Sequence, residues 1–177
     1  MFGWIRKMMQ PEMAPEGPVT FDFEIEIATP AERIYSLIDF ASPTNAKREL
    51  GHSVEQVSSN PEIWKLVIAQ MPDATFLETV TEATAPLCYS YRSVAEPQQG
   101  AMQWTEERWT IQPQQDGARC LVTLLVEAQF DEPLPMSDHQ DHVIMMAMGC
   151  NNAVEKLKLH AEKGVAAVRE VEAQQFR

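Results

Sequence analysis

A chain of 177 residues fits one domain of ordinary size, able to bury roughly 70% of its unfolded surface. Its 26 acidic against 14 basic residues leave a formal net charge of −12, and no basic stripe offers the counterion displacement that a phosphate backbone requires, which excludes nucleic acid as a partner. Apolar residues make up 45% of the chain, yet no uninterrupted run reaches the length of about 18 that a membrane-spanning helix needs.

At the N-terminus, Arg6 and Lys7 interrupt the opening apolar residues too soon for a signal-peptide core, so no export signal is expected. Residues 1–19 read as an extension and linker, because Pro11, Pro15 and Pro18 with Gly17 preclude a helix across "PEMAPEGP". Ahead of them, Phe2, Trp4, Ile5, Met8 and Met9 would share one face of a short helix. The expectation is a terminus packed on its own domain, with a homodimer contact or a membrane-surface anchor through residues 2–9 as the alternatives.

Phe21, Phe23, Ile25 and Ile27 alternate with Asp22, Glu24 and Glu26, the period of a half-buried strand. A helix follows almost at once. Thr29 is placed as its N-cap, Pro30 at its first position and Glu32 as the partner of a capping box. Ile34, Leu37, Ile38 and Ala41 then recur at helical spacing. Pro43 stops this helix, and "TNAKREL" predicts one further short turn before Gly51.

From His52 to Phe130 the pattern predicts six strands, near 52–58, 63–70, 75–83, 87–94, 102–112 and 119–130. The separators "SNPE", "PDA", "AP", "EPQQG" and "PQQDG" all carry turn residues. Connections this short predict antiparallel hairpins. Ser137 to about Glu172 predicts one long helix, with Val143, Met146, Cys150, Val154, Leu157, Ala161, Val165 and Val168 at three- and four-residue steps. Its first half, "VIMMAMGC", is apolar nearly all round and is expected to be buried on all sides. Gly149, which costs about 1 kcal/mol relative to Ala in a helix, is the candidate point for a bend.

This order of elements, together with the opening "IEIATPAERIYSLIDF", resembles the SRPBCC superfamily of START and Bet v 1-like proteins. The likeness covers about residues 20–165, and residues 20–172 read as a single domain of that kind. The resemblance implies an α+β helix-grip fold: a curved antiparallel sheet of about seven strands wraps a long C-terminal helix, with two short helices after the first strand. It also implies an apolar cavity between sheet and helix. Members bind lipids, sterols, polyketides and other hydrophobic molecules, and some are aromatase/cyclases or hydrolases. The partner implied is a hydrophobic small molecule, with no metal or nucleotide cofactor, in a monomer or homodimer.

Elementary geometry points the same way, since a single helix of about 10 Å diameter cannot fill a strongly curved sheet along its whole length. Met145, Met146 and Met148 would give such a cavity an adaptable wall; the alternative is a packed core in which Met fills gaps. Tyr89 and Tyr91 share a strand face with Leu87, and their hydroxyls can bond a ligand or act as a general acid. In "WTEERW", Trp104, Glu106 and Arg108 share one face while Glu107 and Trp109 share the other. Facing inward, Glu106 and Arg108 would orient a ligand's polar end; facing outward, they would pair across strands in water. Trp occurs on both faces, so the alternation leaves both readings open.

Met146 and Cys150 complete the candidate lining from the long helix, whereas Glu78, Glu82 and Glu127 read as solvated. Asp138, His139, Asp141 and His142 fall in that helix's first turn. His139 and His142 can share a face, but no third ligand is placed and the acidic pair complements the helix dipole, so no metal site is assigned. Cys88, Cys120 and Cys150 lie far apart in apolar segments and read as buried thiols in a reducing cytoplasm. No phosphate loop, GxGxxG or nucleophile–base motif is present. The function expected is binding of a hydrophobic small molecule (lipid, polyketide or aromatic) between sheet and helix. The alternative is a cyclase, aromatase or hydrolase whose acid and base assemble inside that cavity.

Overall fold

The structure is a computed structural model and describes residues 11–114 and 117–175. The apolar face of Phe2 to Met9 lies outside the described residues. The elements run β1 (Val19–Ile27), α1 (Ala31–Ile38), α2 (Ala46–Glu49), β2 (Ser53–Ser59), β3 (Glu62–Val67), β4 (Thr75–Thr84), β5 (Cys88–Glu96), β6 (Met102–Pro113), β7 (Cys120–Phe130), α3 (Met136–Lys163) and α4 (Val165–Gln175). The strands form one antiparallel sheet in the order β1-β7-β6-β5-β4-β3-β2. The helix-grip arrangement and the six hairpin strands match the sequence reading.

β1 buries its apolar residues on one face and pairs with β7 from Val19 opposite Ala128 to Ile27 opposite Cys120. Register shifts at Gln56/Ser58, Val80/Glu82 and Met102/Trp104 mark bulges, which bend the strands and strengthen their twist. The concave face carries Ile27, Cys120, Val122, Val126 and Ala128, all fully buried. α3 lies along β1 and β7 and closes this face with Cys150, Val154, Leu157 and His160.

The corner between α1 and α2 is tied by one side chain. Asn45, 1% exposed, donates from Nδ2 to the Leu37, Ile38 and Asp39 carbonyls at 3.3, 3.0 and 3.0 Å, and its Oδ1 accepts the Lys47 N–H at 3.0 Å. It therefore satisfies carbonyls at the end of one helix and a first-turn N–H of the next. Residues 12–14 run against the chain before α3: the Ala14 N–H reaches the Leu134 carbonyl at 2.9 Å, and the Met136 N–H reaches that of Glu12 at 2.7 Å.

Three local expectations are corrected. Thr29 does not cap α1; its N–H is spent on the Ile27 carbonyl, and Pro30 stands at the N-cap with no side-chain cap bond. The predicted long helix is two helices, because the break falls at Gly164 (φ 84°, ψ 172°) and not at Gly149. α4 then folds back, burying Val168 and joining Lys156 to Glu172 at 2.7 Å. Finally, "VIMMAMGC" is not buried on all sides: Ile144, Met145 and Met148 are 58%, 70% and 69% exposed. α3 is an outer layer, and only its Val143, Met146, Ala147 and Cys150 side meets the core.

Gly164 occupies a region of backbone space that is nearly glycine-only. Gly164→Ala is expected to cost about 1–3 kcal/mol, read as a lower urea midpoint with an unchanged slope. An unchanged midpoint would show that the break does not depend on this backbone conformation.

Candidate functional site

The alternation of β7 decides which side chains face inward. Val122, Leu124 and Val126 are buried, and through the register they bring Ile111, Trp109 and Glu107 of β6 to the concave face. β6 in turn brings in Tyr89, Tyr91 and Ser93 of β5, opposite Trp109, Glu107 and Thr105. Ser93 lies opposite Glu78 of β4, which lies opposite Trp64 of β3.

Between this wall and α3 are two chambers. One, of about 450 Å³, reaches from Leu37 and Ile38 to Ala153, Leu157 and His160. The other, of about 580 Å³, reaches toward Phe76, Met102, Phe130 and Met146. Phe40, Lys47, Ile68, Met71, Tyr91 and Glu107 line both, so the two chambers lie side by side. Exposed Lys47 and Met71 mark their mouth.

Polar groups inside are few. The Tyr91 hydroxyl donates to Glu107 Oε2 at 2.5 Å. Burial holds that phenol well above its ordinary pKa, with the neighbouring Glu107 and Glu78 acting in the same direction. Glu78 is 3% exposed and its Oε2 has no hydrogen-bond partner. A buried polar atom in that state costs about 1–3 kcal/mol. The indole Nε1 of Trp109 is likewise buried without an acceptor.

Of the residues singled out from sequence, Tyr91, Met145 and Met146 line the space, Met145 from the exposed edge of the larger chamber. Tyr89 is on the inner face but packed in the core, its ring against Tyr35 and Phe40 and its hydroxyl accepting the Phe40 N–H at 3.3 Å. Cys150 lies on the core-facing side of α3 and is buried there. Trp104, Glu106 and Arg108 face away from the cavity, which corrects the expectation that they line it. On the outer face the Arg92 guanidinium stacks 4.0 Å from the Trp104 ring and meets Glu106 at 3.2 Å, while Arg108 meets Glu82 at 2.5 Å. Glu78, read as solvated, is buried.

The cavity residues missed were Glu78, Glu107 and Trp109. A signal for two of them exists in β6: Trp109 and Ile111 alternate with Arg108, Thr110 and Gln112, which marks the Glu107 face as the inner one. In β4, Phe76 and Val80 alternate with Leu77 and Thr79, so neither face stands out. At the start of α3, His142 stacks on Phe130 with ring centroids 5.4 Å apart. Among the described residues, no group of three or more His, Cys, Asp or Glu is placed to hold a metal ion.

At the level of sequence, no family model and no curated protein matches the chain. Solved structures do share its fold. Ara h 8.0201 superposes with a TM-score of 0.58 at 20% identity, over 81% of this chain and 99% of that one. A START superfamily protein from Mycobacterium smegmatis gives 0.52 at 16% identity, over 91% and 100%. The Aha1 dimer from Colwellia psychrerythraea gives 0.55 at 14% identity, over 82% and 98%. In fold, the chain is a helix-grip protein of the START and Bet v 1 type. Among the described residues, no helix is long and apolar enough to cross a membrane.

Burial pushes the Glu78 carboxyl up to about 8 from 4.5, with the charge of Glu107 adding to the shift and a hydrogen bond from Ser93 opposing it. The folded pKa lies above the unfolded one, so the stability contributed by the neutral acid is fully present below about 4.5 and is lost as pH rises toward about 8. Stability is expected to fall by on the order of 1 kcal/mol per pH unit across that window. Glu78→Gln should remove the slope in urea unfolding at a series of pH values. A slope that survives the substitution would assign it to other groups.

Proposed function

We propose that this protein binds a hydrophobic small molecule in the space between its sheet and α3. A single helix-grip domain over residues 20–172 would carry that function, with residues 1–19 as an extension. The observation that supports the reading is the pair of adjoining chambers beneath α3, of about 450 and 580 Å³. Single ligand sites are commonly of this size, roughly 300–1,000 Å³, and mostly apolar with a few placed polar groups. The free, buried thiols of Cys88, Cys120 and Cys150 suit a reducing cytoplasm, where we place the protein. Native mass spectrometry of gently purified protein should reveal a bound apolar species or uptake of an added one. Ala95→Trp, which inserts an indole into the larger chamber, should lower that uptake at least about tenfold, or 1.4 kcal/mol, without loss of folding. Uptake unaffected by the indole would place the ligand elsewhere.

A catalytic version of this reading rests on one contact. The Tyr91 hydroxyl and Glu107 meet at 2.5 Å inside the cavity, as an acid–base pair of a cyclase or hydrolase would. If the site turns over an aromatic or polyketide-like substrate, Glu107→Gln should reduce kcat by about 100-fold or more while substrate is still bound. Equal turnover in the variant would leave binding as the function.

A further inference from the structure

The binding role leaves one cavity group unexplained. Glu78 is set on the inner face of β4, between Trp64 of β3 and Ser93 of β5, with Oε2 buried and unpartnered. Natural proteins rarely leave such an atom without a reason. Glu107 brings a second carboxyl to the same space from β6. Its Oε2 accepts the Tyr91 hydroxyl, so the proton of that phenol is committed.

Most cationic groups around the space are engaged elsewhere, and Lys47 acts on Glu78 only through its charge, with no ion pair between them. From α3, Lys156 is held by Glu172 of α4 at 2.7 Å, and His160 is bonded to Glu49 of α2 at 2.6 Å. His142 stacks on Phe130, and His52 Nδ1 accepts the Ala69 N–H at 3.3 Å. Lys47 of α2 stands exposed at the mouth. The wall thus presents two carboxyls in an apolar chamber with no cation seated between them, inside a chain of net charge −12.

We propose that the ligand is an amphipathic amine whose ammonium group pairs with Glu78 and Glu107 while its apolar body fills the chamber lined by Phe76, Met102, Phe130 and Met146. This rests on the binding reading above and gives that ligand its polar end. An ammonium supplies the donor that Glu78 Oε2 lacks and offers Glu107 a second one, in charge-assisted bonds strengthened by the low dielectric. A fatty acid or phosphate ester would bring a negative group up to the acidic pair of Glu78 and Glu107, with no cation there to meet it, which selects against it. An alcohol has one hydroxyl proton to offer and no charge.

The test uses the full chain and diphenylhexatriene, an uncharged fluorophore, as the cavity probe. Dodecylamine, dodecanol and dodecanoate, which share one apolar body, then compete for it at neutral pH. Dodecylamine is expected to displace the probe at a concentration at least about tenfold below that of dodecanol, the factor one charge-assisted contact supplies, with dodecanoate the weakest. Glu78→Gln, an uncharged isostere that relieves a buried acid, should retain the probe and shrink the amine's advantage to within a factor of about three. Glu107→Gln serves as the second variant and should shrink it as well. Dodecanoate competing as well as the amine, or an amine advantage kept in both variants, overturns the inference while the cavity stands. If the probe fails to bind, or no competitor displaces it, the binding reading fails and takes this inference with it.

Discussion

The pairing of β1 with β7 is the constraint on which the rest of the molecule depends. It joins the first strand to the last over Val19–Ile27, although roughly a hundred residues separate them in the chain. The hairpins from β2 to β7 form by local contacts, but only this long-range ladder lays β1 beside them. α3 then lies along both strands, so its axis is set by their register. Because the pleat has a period of two, a slip of one residue between these strands would set the buried face of one against the exposed face of the other.

The cavity follows from the same constraint. A sheet bent by three bulges and covered by one helix has more concave surface than the helix can fill. α1 and α2, locked at their corner by Asn45, plug part of the difference with Leu37, Ile38 and Phe40. The remainder is the space that Tyr91 and Glu107 span. Keeping it open has a cost in buried polar groups, visible at Glu78 and Trp109. Sites that violate local rules of burial in this way are where function is found in well-packed proteins.

Much of the scaffold is legible in the residues. Alternation in β1 and β7, turn residues between hairpins, and the spacing of α3 each encode an element through side chains that are neighbours along the chain. The boundary at Gly164 was less legible, because helical spacing of Val165 and Val168 continues through the break and only the backbone angle reveals it. The exposure of Ile144, Met145 and Met148 is similarly hidden. Apolarity says that a residue prefers burial, but whether a second layer exists to bury it is a property of the assembled fold.

By itself, then, the sequence determined the order of elements and the antiparallel hairpins, because those depend on local periodicity and short connections, while the helix-grip class was what its resemblance to the SRPBCC superfamily implied. Only the tertiary structure decided the chemistry of the cavity. A strand such as β6 carries charged and aromatic residues on both faces, and its alternation favours the Glu107 face as the inner one only through Trp109 and Ile111 at its end. The ladder to β7 decides between the faces, turning Glu107 and Trp109 inward and sending Glu106 and Arg108 to water. The ladder from β5 does the same for Glu78. One register of hydrogen bonds thus separates a salt bridge on the surface from a pair of carboxyls facing the cavity.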